Sequence, residues 1–149
     1  MKKTIKNFQV DYMQILDENL NLDSNEFNKL NLNNKDIKKM YELMVLAKVF
    51  DARAISLQRE GRIGTFASGR GQEACQVGSV LALRDKDWIF PSFRENTAAI
   101  AKGMPMENLF QYWGGSEWGS VPPKGVNIFP VSIPVGTHPL HAVGLAFAA

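Results

Sequence analysis

Trp88-Ile89-Phe90-Pro91-Ser92-Phe93-Arg94-Glu95 is the stretch on which the fold class turns. Its first three residues make a short apolar run stopped by Pro91, which reads as a buried strand. Arg94 follows that strand and precedes a helical segment, the position where α/β proteins present groups to ligands at the carboxyl ends of strands. Arginine there suits a phosphate, which its planar fork grips with two hydrogen bonds. An ion pair with Glu95 or another surface acid satisfies the position equally, and both readings stand at this point. The expectation is an α/β fold, helix-rich with few strands.

Upstream, the pattern predicts a long helix over about Lys35 to Glu60. Asn34 can cap it, Ile37, Met40, Tyr41, Met44, Ala47 and Phe50 or Asp51 follow one face, and Gly61 ends it at the C′ position. Such a helix is longer than one small domain needs, so packing on a partner is expected. After the loop from Arg62 to Gly71, the segment from Gln72 to Leu83 puts Ala74, Val77, Gly78 and Leu81 on one face. Downstream, a helix over Glu95 to Lys102 is closed by Gly103. Another, over Pro105 to Trp113, is closed by Gly114-Gly115, with Pro105 suited to the first helical position. Residues 114–135 are broken by Pro122, Pro123, Pro130 and Pro134, and a loop that long inside a domain usually serves a function. Thr137 is read as the cap of a last helix that is still running at Ala149, so the end looks cut.

All 12 glycines lie at or beyond Gly61 and all seven prolines at or beyond Pro91. Residues 1–34 instead carry eight asparagines and read as an extended arm needing another surface to order it, with Phe8, Val10, Tyr12, Ile15 and Leu16 free to dock. The organisation expected is therefore an arm over 1–34 and an incomplete domain over 35–149.

The 149 residues, 45% hydrophobic and 21% charged, have ordinary globular composition. A net charge of +2 without a basic run argues against nucleic acid as a partner, and no apolar run is long enough for a membrane span. With one cysteine and no signal-peptide core, a cytoplasmic location is expected. Cys75 reads as a small buried hydrophobe rather than a nucleophile. His138 and His141 stand at i, i+3 and can share a helix face, but no further Cys or His completes a metal site, so helix-start histidines that cap or pack are the favoured reading. No Gly-x-Gly-x-x-Gly, Walker-type or Gly-x-Ser-x-Gly motif is present.

Five separated motifs carry a resemblance: Leu57-Gln58-Arg59-Glu60-Gly61-Arg62-Ile63-Gly64, Gly71-Gln72-Glu73-Ala74, Pro91-Ser92-Phe93-Arg94-Glu95, Tyr112-Trp113-Gly114-Gly115 and the run Pro134 to Gly144. Their order and spacing from about Lys35 to Ala149 resemble the N-terminal part of the α subunits of thiamin-diphosphate-dependent 2-oxo acid dehydrogenases, those of bacterial pyruvate dehydrogenase E1 above all. The resemblance implies a thiamin-diphosphate-binding fold and an α2β2 assembly with an E1 beta subunit. It also implies decarboxylation of pyruvate, with acyl transfer to a lipoyl-bearing E2 protein.

By the same resemblance, an aromatic-arginine pair on the cofactor diphosphate falls on Phe93 and Arg94. Tyrosine is the more usual first member, so Phe93 lacks one hydroxyl donor while Arg94 keeps its charge. The backbone that wraps the aminopyrimidine falls on Ile133 and Val135, in a turn stiffened by Pro134. Some relatives hold potassium in this turn, at positions occupied here by Thr137 and His138; histidine is a poor ligand for that ion, and no metal is assigned. Gly71-Gln72-Glu73-Ala74 is read as close helix packing and capping. The Gly-Asp-Gly motif that binds magnesium in the family has no counterpart in residues 1–149, so the Mg2+ ligands are expected beyond this chain, and the base that activates the cofactor in the other subunit. A noncatalytic interaction module, or an E1 alpha subunit for branched-chain 2-oxo acids or acetoin, are the competing readings.

Overall fold

Short-range chemistry starts and stops most of the elements in the computed structural model, which describes residues 2–149. The chain divides into two units, one ending at Asp36 and one beginning at Ile37. In the first, residues 2–14 carry no helix or strand, and Ile5, Phe8, Val10 and Tyr12 are exposed. From Ile15 onward the segment expected as an extended arm has local structure of its own. Leu16 and Leu22 form an antiparallel bridge around a turn. Within it the Asp17 carboxylate accepts hydrogen bonds from the Asn19 and Asn21 backbone N–H groups and from the Asn21 amide, at 2.8–2.9 Å. These bonds, the Asn21 side chain foremost, hold the Asp17 carboxyl below its ordinary range. Leu20 takes φ +65° in that turn. Helix α1, Ser24–Lys29, follows because Asp23 accepts from the N–H groups of Asn25 and Glu26.

Helix α2, Asn34–Arg59, is close to the expectation at both ends. Its cap is Asn33 rather than Asn34. Asn33 Oδ1 accepts from the N–H groups of Lys35 at 2.8 Å and Asp36 at 3.2 Å, and the Asp36 carboxylate accepts in return from the Asn33 N–H at 3.0 Å. Gly61 closes α2 with φ +70°, its N–H donating to Gln58 O while the Arg62 N–H donates to Leu57 O, both at 2.9 Å. That pair of bonds is a Schellman motif, which needs the left-handed residue that glycine supplies without a steric cost.

The buried face of α2 is Ala47, Phe50, Asp51 and Ala54, shifted toward the C-terminal half from the expected set. Phe50 meets the rings of Phe66 at 6.1 Å and Phe110 at 4.6 Å, whereas Tyr41, 64% exposed, lines an open groove with Val45, Arg70 and Ala74. The apolar stripe follows the expected period, and its fully buried members all lie from Ala47 onward.

Helix α3, Glu73–Leu81, packs on α4, Asn96–Lys102. It buries Gln76, Val77 and Val80, a face rotated from the expected Ala74, Val77, Gly78 and Leu81. Cys75 is exposed, which corrects the buried reading. Gly103, at φ +105°, closes α4 as expected. Helix α5, Met106–Trp113, has Pro105 as its N-cap in extended backbone rather than as its first helical residue. A 3-10 turn, Glu117–Ser120, docks on α5.

The expected buried strand over Trp88–Phe90 is reduced to one parallel bridge, Ile89 to Ile128, with Trp88 41% exposed. Pro91, Pro130 and Pro134 explain this: proline has no N–H to extend a ladder. Among the described residues no strand extends beyond a single bridge, and the architecture is helix-rich, consistent with the first part of the α/β fold expected from sequence. Phe50, Ala54, Phe66, Ala99, Ile100, Met104, Leu109, Trp113 and Ile128 form one core cluster. Helix α6, Thr137–Ala148, leaves Leu140, Val143 and Phe147 exposed. Among the described residues no helix is long and apolar enough to cross a membrane.

Candidate functional site

The single bridge at Ile89 organises the site. The Ile89 N–H donates to Asn127 O at 3.2 Å, the Phe129 N–H to Ile89 O at 2.9 Å, and the Ser132 N–H to Pro91 O at 3.2 Å. Residues 127–132 therefore run beside residues 89–91. The pairing joins segments about 40 residues apart in sequence, and Phe93-Arg94 follows one of them as Ile133 and Val135 follow the other. Pro91, Ser92, Phe93, Phe129 and Val131 line one cavity there, together with Tyr112, whose phenol is pushed up by burial and then by the charge of Glu117. Tyr112 is thus a neutral hydrogen-bonding group at physiological pH.

Arg94 is exposed, and among the described residues no carboxylate lies within ion-pair distance of its guanidinium. The surface ion pair weighed against a ligand role is absent: Glu95 accepts instead from the Arg94 backbone N–H, at 3.1 Å. The guanidinium lies 5.4 Å from the Phe93 ring centroid, and its Nη1 donates to the Ser68 carbonyl. Gln76 Nε2 donates to the Arg94 carbonyl at 3.1 Å, while Gln76 Oε1 accepts from the Ala98 N–H at 3.0 Å. The cation is therefore held by side chain and backbone yet has no negative partner.

In the turn, Ile133 is 49% and Val135 79% exposed. Pro134 O accepts from the Thr137 hydroxyl at 2.9 Å and from the Thr137 N–H at 3.3 Å. Gly136, at φ +94°, is the N-cap of α6, and Thr137 is its first residue rather than its cap. The two histidines part company. His141 stacks on the Phe129 ring at 4.9 Å, whereas His138 Nδ1 is buried without a partner. No group of three His, Cys, Asp or Glu side chains that could hold a metal occurs among the described residues.

At Gly71-Gln72-Glu73-Ala74 the capping half of the expectation holds only for Glu73, whose carboxylate accepts from the Gly71 N–H at 2.9 Å, while Gln72, the N-cap, makes no side-chain cap bond. The close-packing half does not. Nothing lies within 4 Å of a Cβ built on Gly71, whose φ of +86° is what calls for glycine.

Sequence reasoning missed the residues that hold Arg94. Ser68, Gly69 and Gln76, which meet it, come from the loop after α2 and from α3, and Asp51 of α2 bonds Ser68 and Gly69. One signal was readable: an acid at a position of α2 whose neighbours Ala47, Phe50 and Ala54 are apolar core.

The chain matches the family model described as dehydrogenase E1 component over residues 41–149. It is 40% identical over 125 residues to the pyruvate dehydrogenase E1 component subunit alpha of Acholeplasma laidlawii, covering 84% of this chain and 36% of that one. It is 38% identical over 136 residues to the subunit of the same name in Staphylococcus aureus, covering 91% and 36%. To a 3-methyl-2-oxobutanoate dehydrogenase subunit alpha of Mycobacterium tuberculosis it is 38% identical over 113 residues, covering 76% and 31%. The chain spans about a third of the length of these curated relatives. With the motif order, the helical architecture and the family model in agreement over most of its residues, this chain belongs to the dehydrogenase E1 component family.

Proposed function

We propose that the chain is N-terminal sequence of an E1 alpha subunit that acts with an E1 beta subunit in a cytoplasmic α2β2 assembly. The reaction proposed is oxidative decarboxylation of pyruvate with thiamin diphosphate and transfer of the acetyl group to lipoyl-bearing E2. The domain proposed to carry this chain's share of the cofactor site is residues 35–149. The observation that supports the reading best is Arg94, whose guanidinium donates to the Ser68 carbonyl and has no carboxylate within ion-pair distance among the described residues.

In this reading the free edge of the Arg94 guanidinium binds the diphosphate, and the Phe93 ring keeps the guanidinium plane in place. Main-chain groups of Ile133 and Val135 orient the aminopyrimidine, which tolerates any apolar side chain at those positions. The bound cofactor would supply the electron sink that decarboxylation of a 2-oxo acid requires. The magnesium that would bind with the diphosphate is read as held by protein outside residues 1–149, since the family's Gly-Asp-Gly motif has no counterpart in them. Pyruvate is favoured by the names of the Acholeplasma and Staphylococcus relatives. The Mycobacterium relative supports a second reading, a branched-chain 2-oxo acid.

Arg94→Ala, in the assembly the protein forms naturally, is expected to raise the dissociation constant for thiamin diphosphate roughly 10- to 150-fold, about 1.5–3 kcal/mol. Calorimetric titration measures it, and an unchanged constant would reduce Arg94 to a surface residue. Reduction of an artificial electron acceptor with pyruvate or with 3-methyl-2-oxobutanoate separates the two substrates.

A further inference from the structure

Asp51 is 8% exposed, and among the described residues it has no cationic partner. Its neighbours on the buried face of α2 are Ala47, Phe50 and Ala54, where an apolar side chain would pack at lower cost than a carboxylate. What compensates the buried charge is the loop after α2: the Ser68 hydroxyl donates to Asp51 Oδ2 at 2.8 Å, and the Gly69 N–H donates to Oδ1 at 2.9 Å.

The second of these bonds reaches Arg94. The Gly69 N–H and the Ser68 carbonyl belong to one peptide unit, which is planar and trans, so the two groups point in opposite directions. With its N–H anchored on the buried carboxylate, the peptide must aim its carbonyl the other way, and that carbonyl accepts from Arg94 Nη1. A negative charge on the N–H side also polarises the peptide and strengthens its oxygen as an acceptor. Close approach locks the arrangement, since a Cβ built on Gly69 would lie 2.9 Å from the Arg94 carbonyl oxygen.

We propose that Asp51 is a positioning residue for Arg94. Through the Ser68–Gly69 peptide it fixes the guanidinium by one nitrogen and leaves the other N–H groups directed at an anionic ligand, a diphosphate. The inference rests on the reading of Arg94 as the diphosphate ligand and adds the buried acid that sets its direction.

The test is a double-mutant cycle of Asp51→Ala and Arg94→Ala in the natural assembly, with inorganic pyrophosphate, thiamin diphosphate and thiamin as the probes. Asp51→Ala is expected to weaken pyrophosphate and thiamin diphosphate about 5- to 10-fold. Thiamin, which lacks the diphosphate, is expected to bind unchanged, and in the Arg94→Ala background Asp51→Ala is expected to cost nothing further. Where Asp51→Ala does not fold, Asp51→Asn enters the same cycle. It keeps an acceptor for the Gly69 N–H and removes the charge, so a loss of about 2- to 3-fold is expected, again absent beside Arg94→Ala. An equal loss for thiamin would show general loosening and overturn the proposal. So would an undiminished loss in the Arg94→Ala background, or no loss at all while Arg94→Ala alone weakens pyrophosphate. If Arg94→Ala leaves pyrophosphate affinity unchanged, the reading of Arg94 falls first and the inference with it.

Discussion

Gly69→Ala puts a single methyl group into the closest backbone approach near Arg94. The glycine does not have a left-handed φ, so the substitution creates no backbone strain and the effect is one of space. The new Cβ would stand 2.9 Å from the Arg94 carbonyl oxygen and 3.5 Å from Gln76 Nε2, whereas ordinary contact begins at 3.4 Å, leaving a deficit of about 0.5 Å (3.4 − 2.9). The obstacle is backbone rather than the end of a flexible side chain. Moving the Arg94 carbonyl by that amount along its bond to Gln76 would stretch it from 3.1 Å toward ~3.6 Å, past hydrogen-bond length. Moving Gly69 instead pulls its N–H off Asp51, now at 2.9 Å, and leaves a buried carboxylate short of a donor. Either route costs one hydrogen bond to a buried group plus the crowding, together about 2–4 kcal/mol. For a domain of this size that lowers the melting temperature by roughly 6–15 °C. Gly78→Ala is the control, because nothing lies within 4 Å of its Cβ inside α3, and there alanine should stabilise by about 0.5–1 kcal/mol. Urea unfolding with unchanged slope reads both variants. Wild-type stability for Gly69→Ala, or an equal loss for Gly78→Ala, would refute the argument from the close approach.

Two further outcomes are expected. Leu20→Gly removes a branched side chain from φ +65°, a relief of about 1–2 kcal/mol against roughly 0.5–1 kcal/mol of added glycine entropy. The Asn21 and Asp23 amides should therefore exchange with solvent a few-fold more slowly, and faster exchange would show the turn is not strained. Residues 1–149 expressed alone should neither bind thiamin diphosphate with magnesium at micromolar affinity nor reduce an electron acceptor with pyruvate, because Arg94 by itself cannot replace a hard cation on a diphosphate. Exposed Leu140, Val143 and Phe147 should also make that species prone to association, and turnover by it would sink the assignment of the metal site to other residues.

What could be read from the sequence was whatever a few neighbouring residues decide among themselves. Gly61 and Gly103 close α2 and α4 as expected, since a C-terminal cap needs only a residue that tolerates positive φ and two carbonyls within reach. Asp23-Ser24-Asn25-Glu26 announces α1 by the same kind of short-range signal, and it was obscured by the asparagines around it. The position of Arg94 after a short apolar run, and its motif, were also legible in the chain alone.

Tertiary structure decided which faces are buried and what holds the cation. Periodicity marks the apolar stripe of α2 but not that full burial is confined to Ala47, Phe50, Asp51 and Ala54. Nor does it tell that α3 turns Gln76 rather than Ala74 inward. The Trp88–Phe90 run had the composition of a strand, yet a strand exists only where a partner offers a ladder, and prolines on both segments leave one bridge. Asp51 meets Gly69 across 18 residues and Gln76 meets Arg94 across another 18. Such contacts have no period in the sequence. They arise because the core brings α2, α3 and the loop before α4 within hydrogen-bond distance, and the buried carboxylate is tolerated only after that closure supplies its donors.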